Sequence, residues 1–138
     1  MTEAIHAQLD TAHQALADGR VMEARNAYAR ASALSREAGA HLLQARALAH
    51  LAEIDLGARR PDAALAHADQ AAALYRAHDG WTALDLARVL RLAARSLDDL
   101  RHDSEAALRW NQARDLFQAA GDAAAVAECE GRLGDPAG

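Results

Sequence analysis

LAEIDLGARRPDAALAHADQAAALY, residues 51–75, decides how the whole chain is read. Apolar residues recur at spacings of three and four up to Leu56, pause over Gly57, Arg59, Arg60 and Pro61, and then resume at the same spacing through Tyr75. That pattern is a helix, a short basic turn and a second helix. Pro61 suits the first turn of the second helix, because the N–H it lacks would have found no partner there. Before and after this stretch, the chain reads as copies of the same unit.

The periodicity predicts seven helices. The first spans about Glu3 to Ala17 and closes at Asp18-Gly19; the second runs from about Val21 to Glu37 and stops at Gly39. The third runs from about His41 to Leu56, closed by Gly57, and the fourth from Pro61 to His78, ending at Asp79-Gly80. The fifth, Trp81 to about Leu100, is expected to be the longest. The sixth begins after Asp103 or Ser104, read as N-caps, with Glu105 answering the helix dipole in its first turn, and ends at Gly121. A short last helix, about Asp122 to Leu133, precedes a stop at Gly134-Asp135-Pro136. No stretch alternates as a strand would, and apolar residues make up 51% of the chain with only 4% aromatic, so alanine carries much of the apolar content. Such a composition predicts an all-α fold with closely approaching helices.

Aligning the small residues brings out the repeat. Gly39, Gly80 and Gly121 are spaced 41 apart, and Ala24, Ala64 and Ala106 open the second helix of each pair. Ala31, Ala71 and Ala113 lie seven further on in each copy; Ala12, Ala52 and Ala94 lie twelve before. Small residues at fixed points are what close helix crossings require. These positions resemble the tetratricopeptide repeat. Ala12, Ala24 and Ala31, with Gly19 closing the first helix and Tyr28 between the later alanines, match that family's small-small-aromatic-small pattern. Ala94, Ala106, Trp110 and Ala113 match it again, while the middle copy carries Ala68 at the aromatic position. The repeat is about 41 residues where the family's usual length is about 34, and the consensus initial Trp and closing Pro are missing. Leu133-Gly134 resembles the Leu-Gly of a fourth first helix.

The resemblance implies a right-handed α-solenoid of three helical hairpins, at about residues 3–39, 40–80 and 81–121. A capping helix would follow at about 122–133, then a tail at 134–138. Each hairpin buries one stripe, so its neighbours complete the core. The first helices of the pairs would line a concave face, where such domains bind partner peptides.

Several classes are set aside. A formal charge of −5 argues against nucleic acid, whose phosphates the average surface would repel. The opening MTEAIHAQLD has neither a basic start nor an apolar run, and no stretch approaches the length of a membrane span, so the expectation is a cytoplasmic protein with no membrane partner. All 15 basic residues are Arg, the mark of a GC-rich, bacterial genome. The single cysteine, Cys129, excludes an internal disulfide and reads as a small packing residue. No phosphate-binding Gly-rich loop or nucleophile elbow is present, and the acidic cluster around His102 reads as a polar helix end, so neither catalysis nor a cofactor is expected. His6, Asp10 and His13 share one helix face, with His50 and Glu53 placed to lie opposite, but with no supporting ligand set they predict no metal site.

On the expected concave face the first helix carries Leu9, His13 and Leu16, the third Arg46, Ala49, Glu53 and Leu56, and the fifth Arg88, Arg91, Arg95 and Asp98. Arg88, Arg91 and Arg95 share a face at spacings of three and four, a crowding that calls for an anionic answer. That answer is either a partner's carboxylates, with Arg46 nearby, or Asp85, Asp98 or Asp99 of the chain itself. Leu9, Leu16 and Leu56 are either an apolar floor or core, and Ala49 leaves room for an incoming side chain. The leading expectation is an interaction module that binds a peptide or helix with apolar and acidic residues. A sensing segment of a larger bacterial regulator and a self-associating homodimer stay open beside it.

Overall fold

A computed structural model describes residues 2–134, so the part of the expected tail from Asp135 onward lies outside the described residues. Among these residues the chain forms seven α-helices and no strand: α1 (Thr2–Ala17), α2 (Val21–Ala38), α3 (His41–Gly57), α4 (Pro61–Ala77), α5 (Ala83–Asp99), α6 (Asp103–Ala120) and α7 (Ala123–Leu133). Each helix packs on the next in chain order, and α3 also meets α5. No helix among the described residues is long and apolar enough to cross a membrane.

The nine matched alanines are all buried, none more than 1% exposed. A methyl at each point lets two helices approach; a larger side chain there would force the axes apart, typically at a cost of about 1–3 kcal/mol. Bulk is supplied beside them by the even-numbered helices. In α2 the pair Tyr28 and Ser35 is buried, in α4 Ala68 and Tyr75, and in α6 Trp110 and Phe117. These are equivalent places, seven residues apart on each helix. Where the middle copy loses its aromatic to Ala68, Tyr75 seven residues on carries the volume. Tyr28 and Trp110 also reach back polar tips to the preceding helix: the Tyr28 hydroxyl and His13 Nδ1 are 2.8 Å apart, and Trp110 Nε1 donates to Asp98 Oδ2 at 2.9 Å.

The turns inside the three pairs share one backbone pattern. Gly19 N–H donates to the Leu16 carbonyl and Arg20 N–H to that of Ala15; Arg59 and Arg60 repeat this on Leu56 and Asp55, and Arg101 and His102 on Asp98 and Leu97. The central residue is left-handed in every case, with φ of 78° at Gly19, 62° at Arg59 and 63° at Arg101. Gly57, expected to close the third helix, is its last residue but is not left-handed; Arg59 takes that place.

Other ends differ from expectation for local reasons. α5 starts at Ala83, not Trp81, because Thr82 and Asp85 form a reciprocal cap: Asp85 N–H donates to Thr82 Oγ1 at 3.1 Å and Thr82 N–H to Asp85 Oδ2 at 3.0 Å. At 17 residues α5 is shorter than α2 and α6, which have 18. Asp103 and Ser104 are not N-caps, since α6 already includes them and His102 holds the cap position with no side-chain hydrogen bond. α4 ends at Ala77, with His78 extended beyond it.

One buried carboxylate ties three helices together. Asp55 on α3 is fully buried; its two oxygens accept from Arg25 Nε of α2 at 3.0 Å and meet His67 Nδ1 of α4 at 2.9 Å. Cys129 is also fully buried, and burial, followed by the Glu128 charge, raises its thiol pKa, as suits a packing residue.

Candidate functional site

Helix α3 offers its i, i+3, i+4 face to α1 on one side and α5 on the other, and clefts open along that face. Between α1, α2 and α3 lies an apolar one, lined by Leu16, Val21, Ile54, Gly57 and Ala58 with Glu53 at its rim. Between α3 and α5 a second, of ≈ 460 Å³, is lined by Glu53, Leu56, Arg91, Leu92 and Arg95. A third, smaller cleft of ≈ 170 Å³ lies further along the same two helices, with Arg46, Ala49 and Glu53 on one wall, Arg88, Val89 and Leu92 on the other, and Tyr75 of α4 contributing from behind. A fourth continues from Leu56 and Arg95 to Asp98, Asp99 and Arg132 of α7. Glu53 belongs to three of the four, and Leu56, Gly57, Leu92 and Arg95 to two each, so the clefts adjoin along one surface.

The residues singled out in the sequence are divided by this geometry. Ala49, Glu53, Leu56, Arg46, Arg88, Arg91 and Arg95 line these clefts. Leu9 does not: it is 9% exposed and packed in the core, so it offers a partner almost nothing. Leu16, at 39% exposed, supplies the apolar wall from α1, together with Val21, which sequence reasoning passed over. Its signal was available only as an exposed apolar residue just after the first turn.

The arginines of α5 are not equivalent. Arg91 and Arg95 close on Glu128 of α7, with Arg91 Nη1 3.3 Å from Oε1 and Arg95 Nη2 3.2 Å from Oε2. The Arg91 guanidinium also lies over the Phe117 ring at 5.1 Å, a cation–π contact. The expected intramolecular partners were Asp85, Asp98 and Asp99; Asp85 instead caps its own helix and Asp98 accepts from Trp110. Arg46 and Arg88 are exposed and make no ion pair among the described residues.

Rings cluster where α1, α2 and α3 meet. His50 stacks on Tyr28 with centroids 4.7 Å apart and presents an edge to His13 at 5.2 Å. Burial lowers the His50 pKa from its ordinary value, with Glu53 opposing and His13 adding to the effect. Tyr75 is pushed up to about 12 by burial and then by Asp85, against the pull of Arg46 and Arg88; its phenol remains protonated and able to donate. Among the described residues no group of three or more His, Cys, Asp or Glu side chains could hold a metal ion.

Set against known proteins, the chain matches no family model and no curated relative. Its class is therefore stated from its own architecture: an all-α protein whose helices pack in chain order, with adjoining clefts along α1, α3, α5 and α7.

Proposed function

We propose that the chain is a non-catalytic interaction module, its helical pairs stacked in the manner of tetratricopeptide repeats, and that the cleft-bearing face binds a peptide or helix from another protein. The observation that carries this reading is the graded lining of the adjoining clefts, from Leu16, Val21 and Ile54 at one side to the arginines of α3 and α5 at the other. Such a surface fits a segment with apolar residues at one end and acidic residues toward the other, since apolar area gives affinity and charge gives register. Three of the four exposed large apolar residues among the described residues, Leu16, Val21 and Met22, fall together around the first turn, and the fourth, Leu108, lies apart on α6.

The test is selection of a random 12-residue peptide display library on the immobilised protein, followed by calorimetry. Enriched peptides should combine apolar and acidic residues, and Leu16→Asp should weaken them by about tenfold or more, the loss of one buried leucine contact. No enrichment over a blank surface, or affinity indifferent to Leu16→Asp, would sink the proposal.

A further inference from the structure

We propose that the cleft between α3 and α5 receives one acidic side chain of the bound segment, its carboxylate held between the guanidinium groups of Arg46 and Arg88 beside the Tyr75 hydroxyl, while Glu128 keeps Arg91 and Arg95 out of that role. This rests on the binding-face reading above and names what that face recognises.

The first observation is a difference among four arginines on one surface. Arg91 and Arg95 have their carboxylate already, each giving one N–H to a different oxygen of Glu128. That contact demonstrates the geometry: a carboxylate presented by a helix lying alongside can sit across this row of arginines. Arg46 and Arg88, on facing walls of the next cleft, carry the same planar forks with no such partner among the described residues. A guanidinium fork is matched best by a carboxylate edge, which it can meet with parallel N–H donors.

The second observation is the cleft itself. It is small, ≈ 170 Å³, and Ala49 opposite Val89 leaves the space that longer side chains would fill. Tyr75 adds a neutral hydroxyl donor from behind. Glu53 and Asp85 also line it, so the two arginines are offset in formal charge, and the site selects by geometry and does not attract polyanions by field. With the charged lining already neutral, a bound carboxylate adds one negative charge and a phosphate dianion two, so the smaller charge is the better fit for directed N–H donors. Because clefts adjoin it through Glu53 and Leu92, a bound chain passes over the site without ending in it, which favours a side chain over a terminal carboxylate.

The experiment uses nitrogen-15-labelled protein and three probes: acetyl-Leu-Glu-Leu-amide, acetyl-Leu-Gln-Leu-amide, and acetyl-Leu-Gln-Leu with a free terminal carboxylate. The arginine Nε–H and backbone amide resonances are followed at neutral pH. The glutamate probe should shift Arg46, Arg88 and the Ala49 and Val89 amides saturably, and the glutamine amide should need about tenfold higher concentration or more. The terminal carboxylate should do no better than the glutamine amide; if it matches the glutamate probe, the assignment to a side chain falls. Arg46→Gln with Arg88→Gln, both at exposed positions, should keep the melting temperature and abolish the Ala49 and Val89 shifts. Shifts that persist in that variant, or an Arg46 and Arg88 response that never saturates, overturn the site. In Glu128→Gln, Arg91 and Arg95 should begin to respond; if they already respond equally in the unaltered protein, Glu128 is not what withholds them. A saturable response alongside a failed peptide selection would remove the extended binding face and keep the carboxylate site, and enriched peptides without this response would do the reverse.

Discussion

Arg59 and Arg101 adopt the left-handed conformation that Gly19 adopts in the first pair, with φ of 62° and 63°. A side chain there brings Cβ against the following carbonyl, costing roughly 1–2 kcal/mol, whereas glycine has no Cβ to clash. The strain is tolerated because the two flanking N–H bonds of each turn are made regardless of the central side chain. Arg59→Gly and Arg101→Gly should therefore each stabilise the protein by about 0.5–1 kcal/mol, after the extra freedom glycine gives the unfolded chain. Urea unfolding measures this, and a loss of stability would mean that the arginine side chains make a contact worth more than the strain. The same turn marks a limit of sequence reading. Gly57 is the nearest glycine and is the last residue of α3, yet it is not the left-handed one, because that place is set by the N–H bonds to the Asp55 and Leu56 carbonyls and falls at 59.

At the scale of helices, the strongest single tie is Asp55. It is fully buried on α3 and spends both oxygens on neighbours, Arg25 of α2 and His67 of α4, so one side chain fixes the second helix of one pair, the first helix of the next and its mate. Removing one member of a buried ionic cluster leaves the others desolvated without a partner. Asp55→Ala should cost about 3–5 kcal/mol in thermal or urea unfolding, and combining it with Arg25→Ala should cost much less than the sum of the two single changes. Additive losses would show that Arg25 and Asp55 do not act together. Nothing in the local pattern foretold this cluster. Its members are twelve and thirty residues apart, and although Asp55 falls on the buried stripe of α3 with Leu48, Leu51 and Ala52, the stripe does not say which residues answer its charge. The reciprocal cap at Thr82 and Asp85 was equally easy to pass over, because Trp81 ahead of it reads as the first apolar residue of the helix.

Across the whole molecule, what sequence could foretell follows the range of the interaction. The alanines were legible because close packing demands a small residue at the same point of every pair, and all nine are buried. Arg46, Ala49, Glu53, Arg88, Arg91 and Arg95 were legible as neighbours along the cleft walls, since spacings of three and four fix a helix face. Which arginines would remain unpaired was not, because Glu128 lies 37 and 33 residues from its two partners. That long-range pair also supplies a test of how far a disturbance travels. α7 buries only Ala125 and Cys129 and packs chiefly on α6, while its two ion pairs to α5 are partly exposed and worth at most about 1 kcal/mol each. Glu128→Ala should thus speed amide exchange in α7 by roughly tenfold or less, with a smaller effect at the facing turns of α5 and α6. Amides of α1 and α2 should exchange as before, since those helices pack on their chain neighbours, and α7 is not among them. If exchange quickened in α1 as much as in α7, the molecule would be unfolding as one unit, and chain-order packing would not describe how its stability is distributed.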